Sequence, residues 1–258
     1  MASKHITSRD NSVFKHLKKL ADSSRERRDS GQVVLDGAHL ASAYADVFGE
    51  PELLIFAEGD CTQDVVEFLD RFEGAEKMML PPAMFAEVSP VKTPTGLLAL
   101  VRTPQLPVPA KPQFALMLEN IQDPGNLGGI LRSAAAAGVE VAWLSTGCAD
   151  AWSPKTLRGG QGAHFVLPIV EHADLVGIAG RFEGRTLATD MQGTSLYTLD
   201  LAGAVAFIIG NEGAGLSDVL MQAASERMTI PMPGGVNSLN AAAAAAICLF
   251  ERVRQAGG

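Results

Sequence analysis

One stretch near the middle of the chain restricts the fold more than any other. An apolar run, Phe114-Ala115-Leu116-Met117-Leu118, stops abruptly at Glu119-Asn120. A turn cluster follows, Asp123-Pro124-Gly125-Asn126, and then Leu127, Ile130, Leu131, Ala134 and Gly138 recur at helical spacing. This order spells strand, tight loop, helix. At about 100° per residue the apolar positions form one stripe, and Arg132 falls well away from it. Open α/β sheets place their sites where a buried strand hands a polar loop to a helix. An ordinary connection with a solvent-facing arginine is the alternative reading of this stretch alone.

The segments downstream repeat the pattern. Val139–Leu144, His164–Ile169 and Thr186–Thr189 are predicted strands, with Asp190-Met191-Gln192-Gly193 a loop after the last. Val205–Ile209 has the short, wholly apolar character of a buried parallel strand, and it ends in Gly210-Asn211-Glu212-Gly213-Ala214-Gly215. Met228–Pro231 is a last short strand, followed by the loop Pro233–Asn237. The closing helix is predicted over Leu239 to Arg254, capped by Asn237 or Ser238. Its six consecutive alanines, Ala241 to Ala246, favour helix. They suit either plain core packing or a close helix–helix contact. Ser153-Pro154 marks the start of a short helix that carries Lys155 and Arg158 and runs into Gly159-Gly160-Gln161-Gly162. No glycine loop here is followed by Lys-Ser/Thr, and none fits G-x-G-x-x-G, so neither a P-loop nor a nicotinamide dinucleotide fold is indicated.

Upstream, strand-like runs at Gln32–Leu35, Leu53–Ala57, Lys77–Leu80 and Leu97–Val101 alternate with helical stretches at Ala38–Phe48, Thr62–Phe72 and Pro82–Val88. That alternation implies a small α/β unit. Thr103 to Pro112 reads TPQLPVPAKP, and four prolines in ten residues forbid helix and central strand. The expected organisation is a domain at 1–103, a linker at 104–112 and a second domain at 113–258. A length of 258 residues with 47% hydrophobic content is enough for two cores.

Charge is distributed unevenly. The chain carries a net −8, yet residues 4–28 hold eight basic residues against three acidic ones, a local +5. Val13, Phe14, Leu17 and Leu20 have helical spacing, so Lys15, Lys18 and Lys19 lie on a helix and Arg25, Arg27 and Arg28 just beyond it. A solvated helix face is one reading; contact with phosphates is the other. Cys61, Cys148 and Cys248 are widely spaced and odd in number, which argues against a disulfide framework or a zinc site. The opening residues lack an apolar signal core, and the longest near-apolar run, Ala241 to Phe250, is too short to span a bilayer. A cytoplasmic protein without a membrane partner is expected.

Three strand-ending loops carry uncharged polar groups and glycine: Asn126 in the first, Asn211 in the second, and Asn237, Ser238 and Asn240 in the third. Together they suggest one composite site, and their sequences are specific. Asn120-x-x-Asp123-Pro124-x-Asn126-x-Gly128-x-Ile130-x-Arg132-x-Ala134-x-x-x-Gly138 resembles the first signature motif of the SpoU family of RNA ribose methyltransferases, in the SPOUT superfamily. Ile209-Gly210-Asn211-Glu212-Gly213-x-Gly215-Leu216-Ser217 resembles the second, and Ile230-Pro231-Met232-x-Gly234-x-x-x-Ser238-Leu239-Asn240 the third. The similarity covers roughly 113–258. Ile6-x-Ser8 with Asn11, Gly37 and Thr93-Pro94-x-Gly96 are similar, more loosely, to a substrate-binding domain often fused ahead of it.

The resemblance implies an α/β fold with a parallel sheet and a deep trefoil knot, S-adenosyl-L-methionine as methyl donor, and a homodimer whose active site borrows from both subunits. Knots are otherwise rare. It implies cofactor contacts at Thr189, Asp190, Met191, Gly193, Gly210, Asn211, Glu212, Gly213, Ile230, Met232, Ser238 and Leu239. Asn126, Arg132, Glu212, Ser238 and Asn240 match catalytic and target-positioning residues. Lys15, Lys18, Lys19, Arg25, Arg27, Arg28, Lys155 and Arg158 are the expected RNA contacts. Ribosomal RNA is the first choice of substrate and transfer RNA the second; an RNA-binding protein that no longer transfers methyl groups is the alternative class.

The residue chemistry suits methyl transfer without a metal. A sulfonium donor is already activated, and what the reaction needs is in-line placement of a ribose hydroxyl. Arg132 as literal proton acceptor conflicts with the permanence of the guanidinium charge. A fixed cation that stabilises the developing alkoxide and grips the adjacent phosphate is the simpler role, with Asn126 and Glu212 holding it. One departure stands out: the family often has Ser where this chain has Gly160.

Overall fold

Local sequence decides where each element starts. In the first unit, Asn11 opens helix α1 (Ser12–Asp22) by accepting from Val13 N at 2.9 Å and Phe14 N at 3.2 Å, which satisfies two of the helix's otherwise orphaned donors. The apolar face this creates, Phe14, Leu17 and Leu20, is buried against Val34, Ile55, Leu98 and Leu100 of the sheet behind it. Burying side chains of this kind contributes about 1.5–3 kcal/mol each.

The computed structural model describes residues 3–59, 61–89, 95–211 and 213–257. They form two compact units: Met1–Pro104 together with Trp152–Arg158, and Gln105–Ala151 together with Gly159–Gly258. The first contains β1 (Lys4–His5), α1, α2 (Ser24–Ser30), β2 (Gln32–Asp36), α3 (Ala38–Phe48), β3 (Leu53–Ala57), α4 (Gln63–Arg71), β4 (Lys77–Leu80), α5 (Pro82–Val88) and β5 (Leu97–Arg102). Its strands lie in the order β1-β4-β3-β5-β2, with β5 antiparallel to both neighbours. Thr93 and Pro94, part of the looser N-terminal resemblance, lie outside the described residues.

The second unit contains β6 (Phe114–Leu118), α6 (Pro124–Ala136), β7 (Val141–Leu144), the last two residues of α7 (Pro154–Gly160, the rest of which groups with the first unit), β8 (Ile169–Val170), α8 (Leu175–Arg181), β9 (Arg185–Ser195), β10 (Val205–Ile209), α9 (Asp218–Ala223), β11 (Glu226–Thr229) and α10 (Ala241–Gln255). The sheet order is β11-β9-β10-β6-β7-β8, and every pair is parallel. All five residues of β6 and of β10 are buried, as expected for central strands covered on both faces. The register places Leu118 beside Ile209 and Ala188 beside Ile208. The C-terminal ends of β6, β9 and β10 therefore emerge side by side on one edge.

The structure corrects four boundaries. His164–Ile169 is not a strand: Ala163–Phe165 is a 3-10 turn entered through Gln161 and Gly162, both at positive φ, and only Ile169–Val170 pairs. Pro168, with no N–H to donate, precedes that pairing and accepts from Ala142 N through its carbonyl. Asp190–Gly193 is not a loop after a strand but a bulge within β9. Register with β11 jumps from Arg227↔Ala188 to Met228↔Thr194. Gly193 is required there, because a Cβ would come within 2.5 Å of Met228 N. The last strand is Glu226–Thr229 rather than Met228–Pro231. Helix α10 starts at Ala241, and its cap is Asn240 rather than Asn237 or Ser238: the Asn240 side chain accepts from Ala242 N at 3.0 Å and Ala243 N at 3.2 Å. The alanines serve close packing of α10 on α6, where a Cβ on Gly129 would sit 3.4 Å from Ala242 Cβ. No helix among the described residues is long and apolar enough to cross a membrane, and all three cysteines are free.

Candidate functional site

At the edge where the parallel strands end lies a cavity of about 390 Å³, within the size range of small-ligand sites. Three segments wall it: the β9 bulge (Thr189, Asp190, Met191), the second-motif loop after β10 (Gly210, Asn211, Gly213, Ala214, Gly215, Leu216), and the third-motif stretch from Thr229 through Ile230, Met232, Asn237, Ser238 and Leu239 to Ala241 and Ala244 of α10. Ten of the expected cofactor residues are thus brought together. Gly193 is placed against β11 instead of on the wall, and Glu212 lies outside the described residues. Met221 of α9 and Met228 of β11 also line the cavity. Neither carried a sequence signal, since an inward-facing Met in a short element looks like any core residue.

The loop after β10 is shaped by its own hydrogen bonds. Asn211 Oδ1 accepts from Gly213 N at 2.8 Å and Ala214 N at 3.1 Å, while Asn211 and Gly215 exchange backbone bonds at 3.2 and 2.9 Å. Gly215 sits at φ 69°, where glycine carries no steric penalty. Gly210 has no room for a side chain, because a Cβ would lie 2.5 Å from the Gly215 carbonyl. The cavity combines apolar side chains with tightly folded backbone, and Asp190 is its one ionisable side chain among the described lining residues. This suits a ligand of S-adenosylmethionine's kind, with an apolar ring and several hydrogen-bonding groups.

Beside the cavity, α6 is opened by Asp123, whose Oδ1 accepts from Asn126 N at 2.8 Å, with Pro124 in its first turn. Asn240 Nδ2 donates to Asn126 Oδ1 at 2.9 Å. One bond thereby ties the first motif to the third, next to Ser238 on the cavity wall. Arg132 lies about 9 Å further along α6 and roughly 120° around it from Asn126, by helix geometry. It is exposed, and among the described residues it makes no hydrogen bond or ion pair and does not line the cavity.

The expected RNA contacts divide. Arg27 is a correction: it is buried, and its Nη1 donates to the carbonyls of Leu20 and, at 3.2 Å, Ala21. It closes the C-terminal end of α1 and is not offered to phosphate. Lys15 pairs with Asp10 at 2.8 Å, Lys18 approaches Glu87 at 3.7 Å, and Arg25 pairs with Asp29 at 3.3 Å; such exposed pairs are weak and leave the cations available. Lys19, Arg28, Lys155 and Arg158 are exposed. Within the first unit, burial raises the Asp36 carboxyl pKa, against hydrogen bonds from Thr95 and Ser89 and the opposing charge of Arg158. Gly160, the departure from the family pattern, has a local cause: a Cβ there would meet the ring of buried His164 at 2.5 Å. Burial pushes His164 down to about 4, while its Nε2 bonds Ala151 O at 2.7 Å.

Comparison with known proteins points the same way. Residues 113–250 match the model of the SpoU rRNA methylase family. An uncharacterized tRNA/rRNA methyltransferase of Synechocystis is 33% identical, over 97% of this chain and 93% of its own length. The 23S rRNA (guanosine(2553)-2'-O)-methyltransferase RlmP of Bacillus subtilis is 31% identical, over 96% and 98%. The SpoU methyltransferase AviRb of Streptomyces viridochromogenes, solved in complex with AdoMet, superposes with a TM-score of 0.85 at 26% identity, over 95% of this chain and 98% of that one. With its three motif segments gathered at one parallel-sheet edge, the chain belongs to the SpoU rRNA methylase family.

Proposed function

We propose that this protein is an S-adenosyl-L-methionine-dependent RNA ribose 2′-O-methyltransferase acting on ribosomal RNA, with transfer RNA the second choice. The observation that carries the reading is the cavity at the C-terminal strand edge, walled by the second and third motif segments and the β9 bulge and joined to α6 of the first motif by the Asn240–Asn126 bond. Bound there, S-adenosylmethionine supplies an activated methyl group. The chain's own residues then have to place a ribose hydroxyl in line with it. Ser238 and Asn240 orient the hydroxyl, Asn126 fixes Asn240, and Arg132 stabilises the developing alkoxide and holds the neighbouring phosphate. Glu212 is assigned with them from its motif position.

Arg132 points away from the Asn126 side of α6, which favours a site completed by a second copy of the chain, hence a homodimer. The N-terminal unit, 1–103, reads RNA shape through Lys15, Lys18, Lys19, Arg25 and Arg28, aided by Lys155 and Arg158; 104–112 links it to the methyltransferase domain, 113–258. A trefoil knot around the cofactor loops and a cytoplasmic location belong to the same proposal. No metal takes part, so activity should survive EDTA.

The test is a comparison of 2′-O-methylation across total RNA from cells with and without the gene, paired with methyl transfer by purified protein. One ribosomal RNA position should lose its methyl group in the deletion and regain it in vitro. A methylome identical in both strains, with no transfer in vitro, would refute the reading.

A further inference from the structure

The second-motif loop does not hold its shape alone. Glu119, the first residue after β6, receives two hydrogen bonds from Ser217: the Ser217 N–H donates to one carboxylate oxygen and its Oγ to the other, both at 2.7 Å. The next residue, Asn120, accepts from Asn211 Nδ2 at 3.0 Å through its backbone carbonyl. Two consecutive residues just after β6 thus grip both ends of the loop that walls the cavity, Asn211 at its start and Ser217 at its end. Asn120 reaches this geometry at φ 55°, a left-handed conformation few non-glycine residues adopt. Ser145 Oγ supports it by accepting Asn120 N at 3.0 Å, and Gly147 leaves space for the Asn120 side chain. Strained backbone so thoroughly supported is characteristic of functional sites.

We propose that Glu119 is a positioning residue for the methyl donor: through Ser217 it sets the conformation of the Asn211–Ser217 loop, and so the affinity of the cavity for S-adenosylmethionine. This rests on the methyltransferase reading above. Glu119 itself does not line the cavity; it acts by holding the loop ready, which spares the ligand the cost of ordering it.

The test uses the full-length protein, S-adenosylmethionine titration calorimetry and steady-state methylation. Glu119→Ala and Ser217→Ala should each weaken cofactor binding by about 10- to 100-fold, the scale of hydrogen bonds to a charged group. The KM for S-adenosylmethionine should rise while the KM for RNA and the kcat at saturating donor change little. Glu119→Ala removes both bonds and Ser217→Ala only the Oγ one, so Glu119→Ala should bind no tighter than Ser217→Ala, and the double variant should bind no worse than Glu119→Ala alone. Glu119→Gln should restore most of the affinity: its carbonyl oxygen can accept the Ser217 N–H and its amide can donate to Oγ. If Glu119→Ala does not fold, the Ser217→Ala and Glu119→Gln pair decides. Wild-type affinity in Ser217→Ala, or equal weakening in Glu119→Gln and Ser217→Ala, overturns the tether while leaving the methyltransferase reading intact. Wild-type protein that binds no S-adenosylmethionine overturns both.

Discussion

Gly210 is the position at which one methyl group should do most harm to cofactor binding. A Cβ there would lie 2.5 Å from the Gly215 carbonyl carbon and oxygen and 2.8 Å from Leu216 N. Every one of these atoms is backbone, so no side chain can swing aside. Ordinary contact begins at 3.4 Å, and the loop would have to retreat by about 1 Å, a displacement typical of overpacked sites costing about 1–3 kcal/mol. That loop is closed by the Asn211–Gly215 backbone pair and held at both ends by Glu119 and Asn120. It cannot yield without moving a cavity wall. Taken from binding, the cost is roughly 5- to 150-fold in Kd for S-adenosylmethionine. Calorimetric titration of Gly210→Ala against wild type measures it. Gly203→Ala is the control, since Gly203 lies outside the cavity and its Cβ would meet nothing within 4 Å. Binding by Gly210→Ala within about twofold of wild type, at unchanged melting temperature, would refute the argument that backbone crowding shapes the pocket.

Further outcomes follow from the same geometry. Arg132→Ala should keep its fold and its S-adenosylmethionine affinity, since Arg132 is exposed and off the cavity. Its single-turnover methylation rate should fall about 10²- to 10³-fold, and Arg132→Lys should also be slow because a point charge does not replace a planar fork. Arg27→Met should lower the melting temperature by exposing unpaired α1 carbonyls, whereas Lys15, Lys18 and Lys19 changed to Glu should leave it nearly unaltered. The triple variant should instead weaken RNA binding and flatten its salt dependence in filter binding; unchanged affinity would move the phosphate contacts elsewhere. His164 is held down to about 4 in the fold, below its unfolded value. The unfolded chain therefore takes up the proton first, and the stability His164 contributes, present above about pH 6.5, is lost as the pH falls toward 4. The loss is at most about 3 kcal/mol. Denaturant melts of wild type and His164→Gln from pH 7.5 to 4.5 should converge at the acid end.

Much of this protein can be read along the chain. The apolar runs Phe114–Leu118 and Val205–Ile209 announce buried strands because every position must face a covering layer. Asp123-Pro124 opens a helix, and the prolines between Thr103 and Pro112 break one, through local sterics and capping that need no tertiary information. The motif segments could be picked out for the same reason: each is a short contiguous pattern. What the linear order conceals is set by contacts between distant residues. Arg27 and Arg28 look alike in sequence; only packing under α1 buries the first and leaves the second in solvent. Asn237 and Ser238 read as the cap of the closing helix, yet the cap falls to Asn240, whose side chain also reaches Asn126, 114 residues away. Glu119 carried no signal at all, since its partner Ser217 lies 98 residues downstream. The convergence of the three loops is likewise tertiary. Parallel pairing in register carries Leu118 to Ile209 and Ala188 to Ile208, and hydrogen bonds between strands, which no local propensity encodes, bring the segments that follow them to one edge and make a cavity there.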